Sequence, residues 1–455
     1  MGNDNVIDRG DAHGGILDAA TDPARVIETH ERYVITVGRL LTGRPGEVLA
    51  DQSVAVDGSR IAWVGPTTAL PVEYADWTRA DYSGYTLLPG LVETHAHFGA
   101  RPGSAPDVSD PTRHVQGWNA LHSLHWARQL ASLGVTSAQS LGSKYFTDVV
   151  LREAINAGLA AGPRIVAAGA MITTTGGHDW KDGGEVDSLD DIRHAVRDHH
   201  KAGVDTIKTA ATGGFFTPGT AQWKAQFTVE ELRTLVDEAH RLGHPVAVHA
   251  HGTQGIRRAV EAGVDYIAHG TFISDDGTTR FDPALADQIA EAGIYVDVAA
   301  PPSYPPVEGE TIAPRALDLY RHGVKIVTGH DIGAVIPPNA YLYGLHQLEA
   351  SGIPREEILV AATSRAAAAI GLAGVAGVIA PGYDADLLIV DGNPLDELAA
   401  LERRRLIVTR GRVFHPVPVE EYHGRSGPGK DGKGHTNTVL EERFARVSRA
   451  ASQNW

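Results

Sequence analysis

The chain has no cysteine among its 455 residues. Disulfides, thiolate metal sites and a cysteine nucleophile are therefore excluded, and any metal must be held by imidazole, carboxylate or a modified lysine. Positive charge is also scarce. The 40 basic residues against 56 acidic ones give a formal net charge of -16, which disfavours nucleic acid and anionic membrane surfaces as partners. No apolar run reaches the length of a membrane span. The first thirty residues carry Asp4, Asp8, Asp11 and Asp18 without an apolar core segment, so no secretory signal is visible and a cytoplasmic location is expected.

What is present points to one large domain with a satellite, since the length exceeds what one small core needs. From about Tyr33, the segments YVITVGRLLTG, SVAVDGSRIAWVG and YTLLPG have the short alternating pattern of strands in a small sheet. Between Leu91 and roughly Gly371, short apolar runs alternate with amphipathic stretches. Eight of these runs read as strands: LLPGLVETHAH, GVTSAQSLG, RIVAAGAMITT, VDTIKTAATGG, HPVAVHAHG, VDYIAHG, GIYVDVAA and GVKIVTGHD. Eight is the number that a (β/α)8 barrel requires.

The intervening helices carry start and stop signals; TVEELRTLVDEAHRLG has Thr228 as its N-cap and Gly243 as its stop. After the barrel, GVIAPGYDADLLIVDGN and RRRLIVTRGRVF return to strand patterning, and the simplest packing pairs them with the first strands. The expected α/β organisation is a tail over 1–32, a discontinuous β-sandwich over 33–88 and 376–418, a barrel over 89–375, and an arm over 419–455. The arm begins with a Gly-, Lys- and Pro-rich loop and ends in VLEERFARVSRAA, a candidate terminal helix.

Twenty-two histidines are many, and position decides which matter. His95 and His97 close the first barrel strand, where residues two apart face the same side. A lone pair of this kind is weak evidence. Lys208, however, interrupts an apolar strand in which an unpaired ammonium is costly. His249 ends HPVAVH, His269 ends VDYIAH and Asp331 follows KIVTGH, each breaking its apolar run at the same relative place. Any one of these could be an ordinary core residue; all of them, in barrel order, converge on one face. Four imidazoles with oxygen donors suit zinc, or alternatively manganese, cobalt or nickel.

LLPGLVETHAH, the Lys208 strand, VHAHG, IAHG, GHDIG and GVIAPGYDADLLIVDGNPL together resemble the amidohydrolase superfamily, over about Tyr33 to Phe414. GGFFTPGT followed by FTVEEL is similar to the branch containing Xaa-Pro dipeptidases, imidazolonepropionase-related proteins, ochratoxin-type amidases and aryl-urea or thiocarbamate hydrolases. The resemblance implies two divalent metals, with His95, His97 and Asp331 on the more buried one and His249 and His269 on the second. Lys208, carboxylated on its amine, would bridge them. It further implies hydrolysis by metal-activated hydroxide, with Asp331 moving the proton and His178 donating to the substrate oxyanion. His251 is placed for a substrate or supporting contact, and His330 departs from the small residue usual before such an aspartate.

Trp180, Phe215, Phe216, Trp223 and Tyr304 fall in loops at the expected catalytic face, which points to an apolar or aromatic small-molecule substrate. Phe215 and Tyr304 are the foremost candidates for touching it. The expected reaction is cleavage of an amide, carbamate or urea C–N bond. A dipeptidase is the alternative, although no secure anchor for a free carboxylate is visible. A deaminase fits less well, since Lys208 is present and Ala250, His251 and Gly252 follow the fifth-strand histidine. A silent scaffold would be expected to have lost ligands, and all six positions are filled. A homo-oligomer is expected from the resemblance and the arm.

Overall fold

The structure, a computed structural model, describes residues 23–28, 30–98, 111–214, 217–298, 315–333 and 336–419. The first 22 residues and the arm beyond 419 lie outside the described residues. A short helix, Pro23–Glu28, precedes the first strand and buries Ile27 in the core of the terminal sheet. Four strands follow: β1 (Arg32–Leu41), β2 (Val48–Asp57), β3 (Arg60–Pro66) and β4 (Thr78–Pro89).

At Gly90 the chain leaves this sheet. A β-carbon there would collide with the Thr136 side chain, so glycine lets the two strands pass closely. Eight parallel strands come next: β5 (Leu91–His97), β6 (Val135–Ser140), β7 (Arg164–Ala167), β8 (Ile207–Ala210), β9 (Val246–Gly252), β10 (Tyr266–Ile273), β11 (Tyr295–Asp297) and β12 (Lys325–Val327). They correspond one for one to the eight apolar runs. A two-residue strand, β13 (Ile332–Gly333), then pairs with β5, and β14 (Leu387–Val390), β15 (Arg404–Thr409) and β16 (Arg412–Val413) are the last strands among the described residues.

Hydrogen bonding divides the parallel strands into the ladders β13-β5-β6-β7 and β12-β11-β10-β9-β8. Bonds cross both gaps between them. Ile172, beyond β7, bridges Thr209 of β8, and the Thr94 amide of β5 donates to the Thr328 carbonyl beyond β12 at 3.0 Å. Strands covered on both faces carry near-continuous apolar runs, and β9 is buried at every position.

Helices cover the outside by their apolar stripes. Helix Val229–Arg241 starts with a reciprocal capping box between Thr228 and Glu231, and chain reversal follows at Gly243, where φ is +86°. It buries Leu232, Leu235, Val236 and Ala239, and each of these leucines contributes about 2 kcal/mol relative to exposure. Among the described residues no helix is long and apolar enough to cross a membrane.

The terminal strands form one continuously hydrogen-bonded sheet, ordered β16-β15-β14-β4-β1-β2-β3. It folds back on itself around one core: the β2–β3 turn meets the segment before β14, where Ile61 N donates to the Tyr383 carbonyl at 2.9 Å and Arg60 bridges Asp384. The discontinuity read from the sequence lies in the antiparallel pairing of β14 with β4, where Leu388 opposes Leu88.

Candidate metal centre

β5 presents His95 and His97 with their Nε2 atoms 3.3 Å apart. Asp331, four residues past the end of β12, brings its Oδ1 to 3.1 Å from His97 Nε2 and 3.4 Å from His95 Nε2. From β9 and β10, His249 Nδ1 and His269 Nε2 meet at 2.9 Å. The rings of His95 and His269 are 5.1 Å apart, so the two groups adjoin. His269 and Asp331 have φ of +74° and +56°, a region costly for residues with a β-carbon and one that persists where surrounding contacts enforce it.

Outer partners settle which nitrogens carry protons. A carbonyl cannot donate, so His97 Nδ1 donates to the Gly142 carbonyl at 3.3 Å and His249 Nε2 to the Gly213 carbonyl at 3.1 Å. His95 Nδ1 donates to the Asp297 carboxylate at 3.0 Å. When these rings are neutral, the inward nitrogens of His95, His97 and His249 present lone pairs to the site, the form in which they can hold a cation; burial lowers the proton affinity of His97, but the hydrogen bond to Asp331 and its charge outweigh that and raise it. Burial, followed by the charges of neighbouring groups, pushes the His249 and His269 imidazoles well below their ordinary range, which keeps them neutral. Burial pushes the Asp331 carboxyl up, but the charge of His95, the hydrogen bond from His97 and the Lys208 ammonium outweigh it and hold Asp331 well below the usual carboxylate range.

Lys208 on β8 is fully buried, and among the described residues its Nζ has no hydrogen-bond partner. Burial pushes its ammonium down to about 8, although Asp297, Asp331 and Asp179 pull the other way. A buried nitrogen beside inward-facing imidazoles and carboxylates fits a site for divalent cations. Three groups of donor atoms among the described residues have metal-binding spacing: His95, His97 and Asp331; His249, His251 and His269; and His95, His269 and Asp297.

The last group contains a residue that sequence reasoning missed. Asp297 ends β11, and its carboxylate also accepts from the Tyr266 hydroxyl at 2.5 Å and the His269 amide at 3.2 Å. Its position as a polar residue closing an apolar run was the available signal. Glu93 was missed too, although it stands two residues before His95 in β5 and is fully buried.

His178 lies over His249 with ring centroids 4.2 Å apart, and its Nδ1 is 3.0 Å from the Thr217 hydroxyl. Burial lowers its proton affinity, so the ring is neutral near pH 7 and carries one N–H to donate. His251 stacks on His269 at 4.3 Å and 19°, with its Nδ1 2.8 Å from the Thr271 hydroxyl; burial pushes it down to about 3. His330 points away from this cluster to Glu93, 2.8 Å from its Nδ1. Phe215, Phe216 and Tyr304 lie outside the described residues. Trp180 is exposed and Trp223 half-buried.

The model of the amidohydrolase family matches residues 86–413. An ochratoxinase of Aspergillus niger is 27% identical over 430 residues, covering 86% of each chain. An imidazolonepropionase of Paracoccus denitrificans is 27% identical over 381 residues, covering 74% of this chain and 87% of that one. Among solved structures, a Xaa-Pro dipeptidase with methionine bound in its active site superposes with a TM-score of 0.73 at 29% identity, covering 84% of this chain and 99% of the dipeptidase.

Proposed function

Because the chain belongs to the amidohydrolase family, we propose that it hydrolyses the C–N bond of an amide, carbamate or urea in a small molecule with an apolar or aromatic portion, using two zinc ions. The observation that carries this reading is the buried Lys208 Nζ, without a hydrogen-bond partner among the described residues, beside four inward-facing imidazoles and Asp331. The bonds across both gaps between the ladders support a closed (β/α)8 barrel with this cluster at the carboxyl ends of its strands.

His95, His97 and Asp331 would hold one cation and His249 and His269 the other. Bound there, the metals supply acidification of a water molecule and polarisation of the scissile carbonyl. The chain does the rest. With its ammonium lowered to about 8, about a tenth of Lys208 is free amine at neutral pH. That amine could attack carbon dioxide, forming an N–C bond and releasing a proton, so that the buried cation would become an anionic ligand with two oxygens. Asp331 receives the proton of the attacking water and passes it to the departing nitrogen. His178 donates its N–H to the substrate oxygen as negative charge develops.

A dipeptidase is the second reading, favoured by the Xaa-Pro dipeptidase superposition. Against it, Asp179 stands 3.7 Å from His178 and would repel a free substrate carboxylate. A mass-spectrometric screen of zinc-loaded protein decides, comparing N-aryl amides, carbamates and ureas with dipeptides, with chelated protein and Lys208→Met as controls. The expected result is cleavage of aryl compounds that chelation abolishes and that Lys208→Met lowers by at least about a hundredfold, through loss of one metal. Cleavage confined to dipeptides would replace the first reading by the second.

A further inference from the structure

Glu93 and His330 stand outside the lone-pair cluster, yet they join the two strand ends that build half of it. One Glu93 oxygen accepts from the His95 amide at 2.7 Å and the His330 amide at 2.9 Å. The other accepts from His330 Nδ1 at 2.8 Å. Three N–H donors satisfy a carboxylate that is otherwise sealed from water, so its burial is compensated in this geometry. The chain is shaped to admit the His330 ring. On helix Ala340–Ala350, Tyr341 meets it edge-on at 4.9 Å, and a β-carbon at Gly344 would overlap its Cδ2 and Nε2. Glycine in mid-helix costs about 0.5–1 kcal/mol relative to alanine, and here it opens the slot.

The residue that follows His330 is Asp331, with its left-handed backbone. On its other side Ile332 pairs with Ala96. Asp331 is thus held onto β5 from both flanks, by the His330–Glu93 bonds before it and by the β13 pairing after it. Resting on the metal-dependent reading above, we propose that Glu93 and His330 are positioning residues: they aim the Asp331 carboxylate at His95 and His97, so that the affinity of this half-site for a cation depends on the His330 Nδ1–H donor and on the slot at Gly344.

The test is titration of the metal-free full-length protein with cobalt(II), followed by visible absorption, with thermal melting of each variant alongside. His330→Leu removes the donor and should weaken binding by about 10–100-fold, the usual effect of losing a partner behind a ligand. His330→Asn presents an amide N–H where Nδ1 stood and should bind close to the parent. Gly344→Ala, which changes no polar group, should weaken binding, and H330N/G344A should recover it because asparagine does not reach the slot. Parent-like cobalt affinity in His330→Leu, even with a lowered melting temperature, would overturn the brace while leaving the metal reading intact. Should His330→Leu fail to fold, equal affinities of G344A and H330N/G344A would overturn it instead. A parent protein that takes up no cobalt would overturn the metal reading and the brace together.

Discussion

At Asp297 a single carboxylate accepts from the ring of His95, the hydroxyl of Tyr266 and the backbone of His269. It therefore selects the tautomer of one candidate ligand and supports the left-handed backbone of another. Asparagine has the same shape but one acceptor fewer, and its amide can turn His95 so that the proton sits on the inward nitrogen. Asp297→Asn is expected to lower zinc affinity about 10–100-fold with the fold retained, measured by competition with a chromogenic chelator and by circular dichroism. Unchanged affinity would show that the His95 lone pair is set elsewhere. The same logic explains why Asp297 and Glu93 escaped the sequence while His95, His249 and His269 did not. A histidine at a strand end points to a metal by its type, whereas an aspartate closing an apolar run, as Asp297 does, shows only that it is buried there, and the groups that fold against it give its role.

The strands were legible because most are short, largely apolar runs, the pattern that parallel strands buried on both faces impose, and β9, β10 and β11 are broken near their carboxyl ends by a polar residue. Thr228 and Gly243 marked their helix for an equally local reason, since caps satisfy the chain's own end groups. The continuity of the terminal sheet was not legible, because alternation within a strand does not reveal which strands it pairs with. Contacts between helices are equally hidden. Glu238 of helix Val229–Arg241 accepts from Arg241 on its own helix and at 2.6 Å from Arg197 on helix Leu189–Ala202. These two guanidiniums hold its carboxyl down at about 2, against an ordinary 4.5. A depressed carboxyl stabilises the fold above its unfolded value and loses that contribution as pH falls through the folded one. Glu238→Gln should therefore show its full deficit in urea midpoint at pH 7, with the gap to the parent shrinking below about pH 4.5. A gap independent of pH would mean that packing, not charge, is at stake.

In the whole molecule, the parallel strands and the terminal sheet are tied by charge as well as by backbone. Arg164, opening β7, is paired with Asp384 and lies 3.6 Å from Asp386, both buried, while Arg60 reaches Asp384 from β3 at 2.9 Å. Removing Arg164 leaves Asp384 with the exposed Arg60 and Asp386 with the Arg410 amide at 2.8 Å. Arg164→Met is expected to cost about 3 kcal/mol of stability, seen as a lower urea midpoint with the metal content of the remaining fold unchanged; no loss would mean that Arg60 suffices.

The pairing of β14 with β4 also has a temporal side. On the ribosome, β4 is complete roughly 300 residues before β14 exists, which at about 5–20 residues per second is about 15–60 s. For that interval the nascent chain carries β4 with one edge unpaired, the kind of edge on which other strands dock and aggregate. A fold that completes its first sheet with its last strands must keep that edge shielded while the catalytic half is being made.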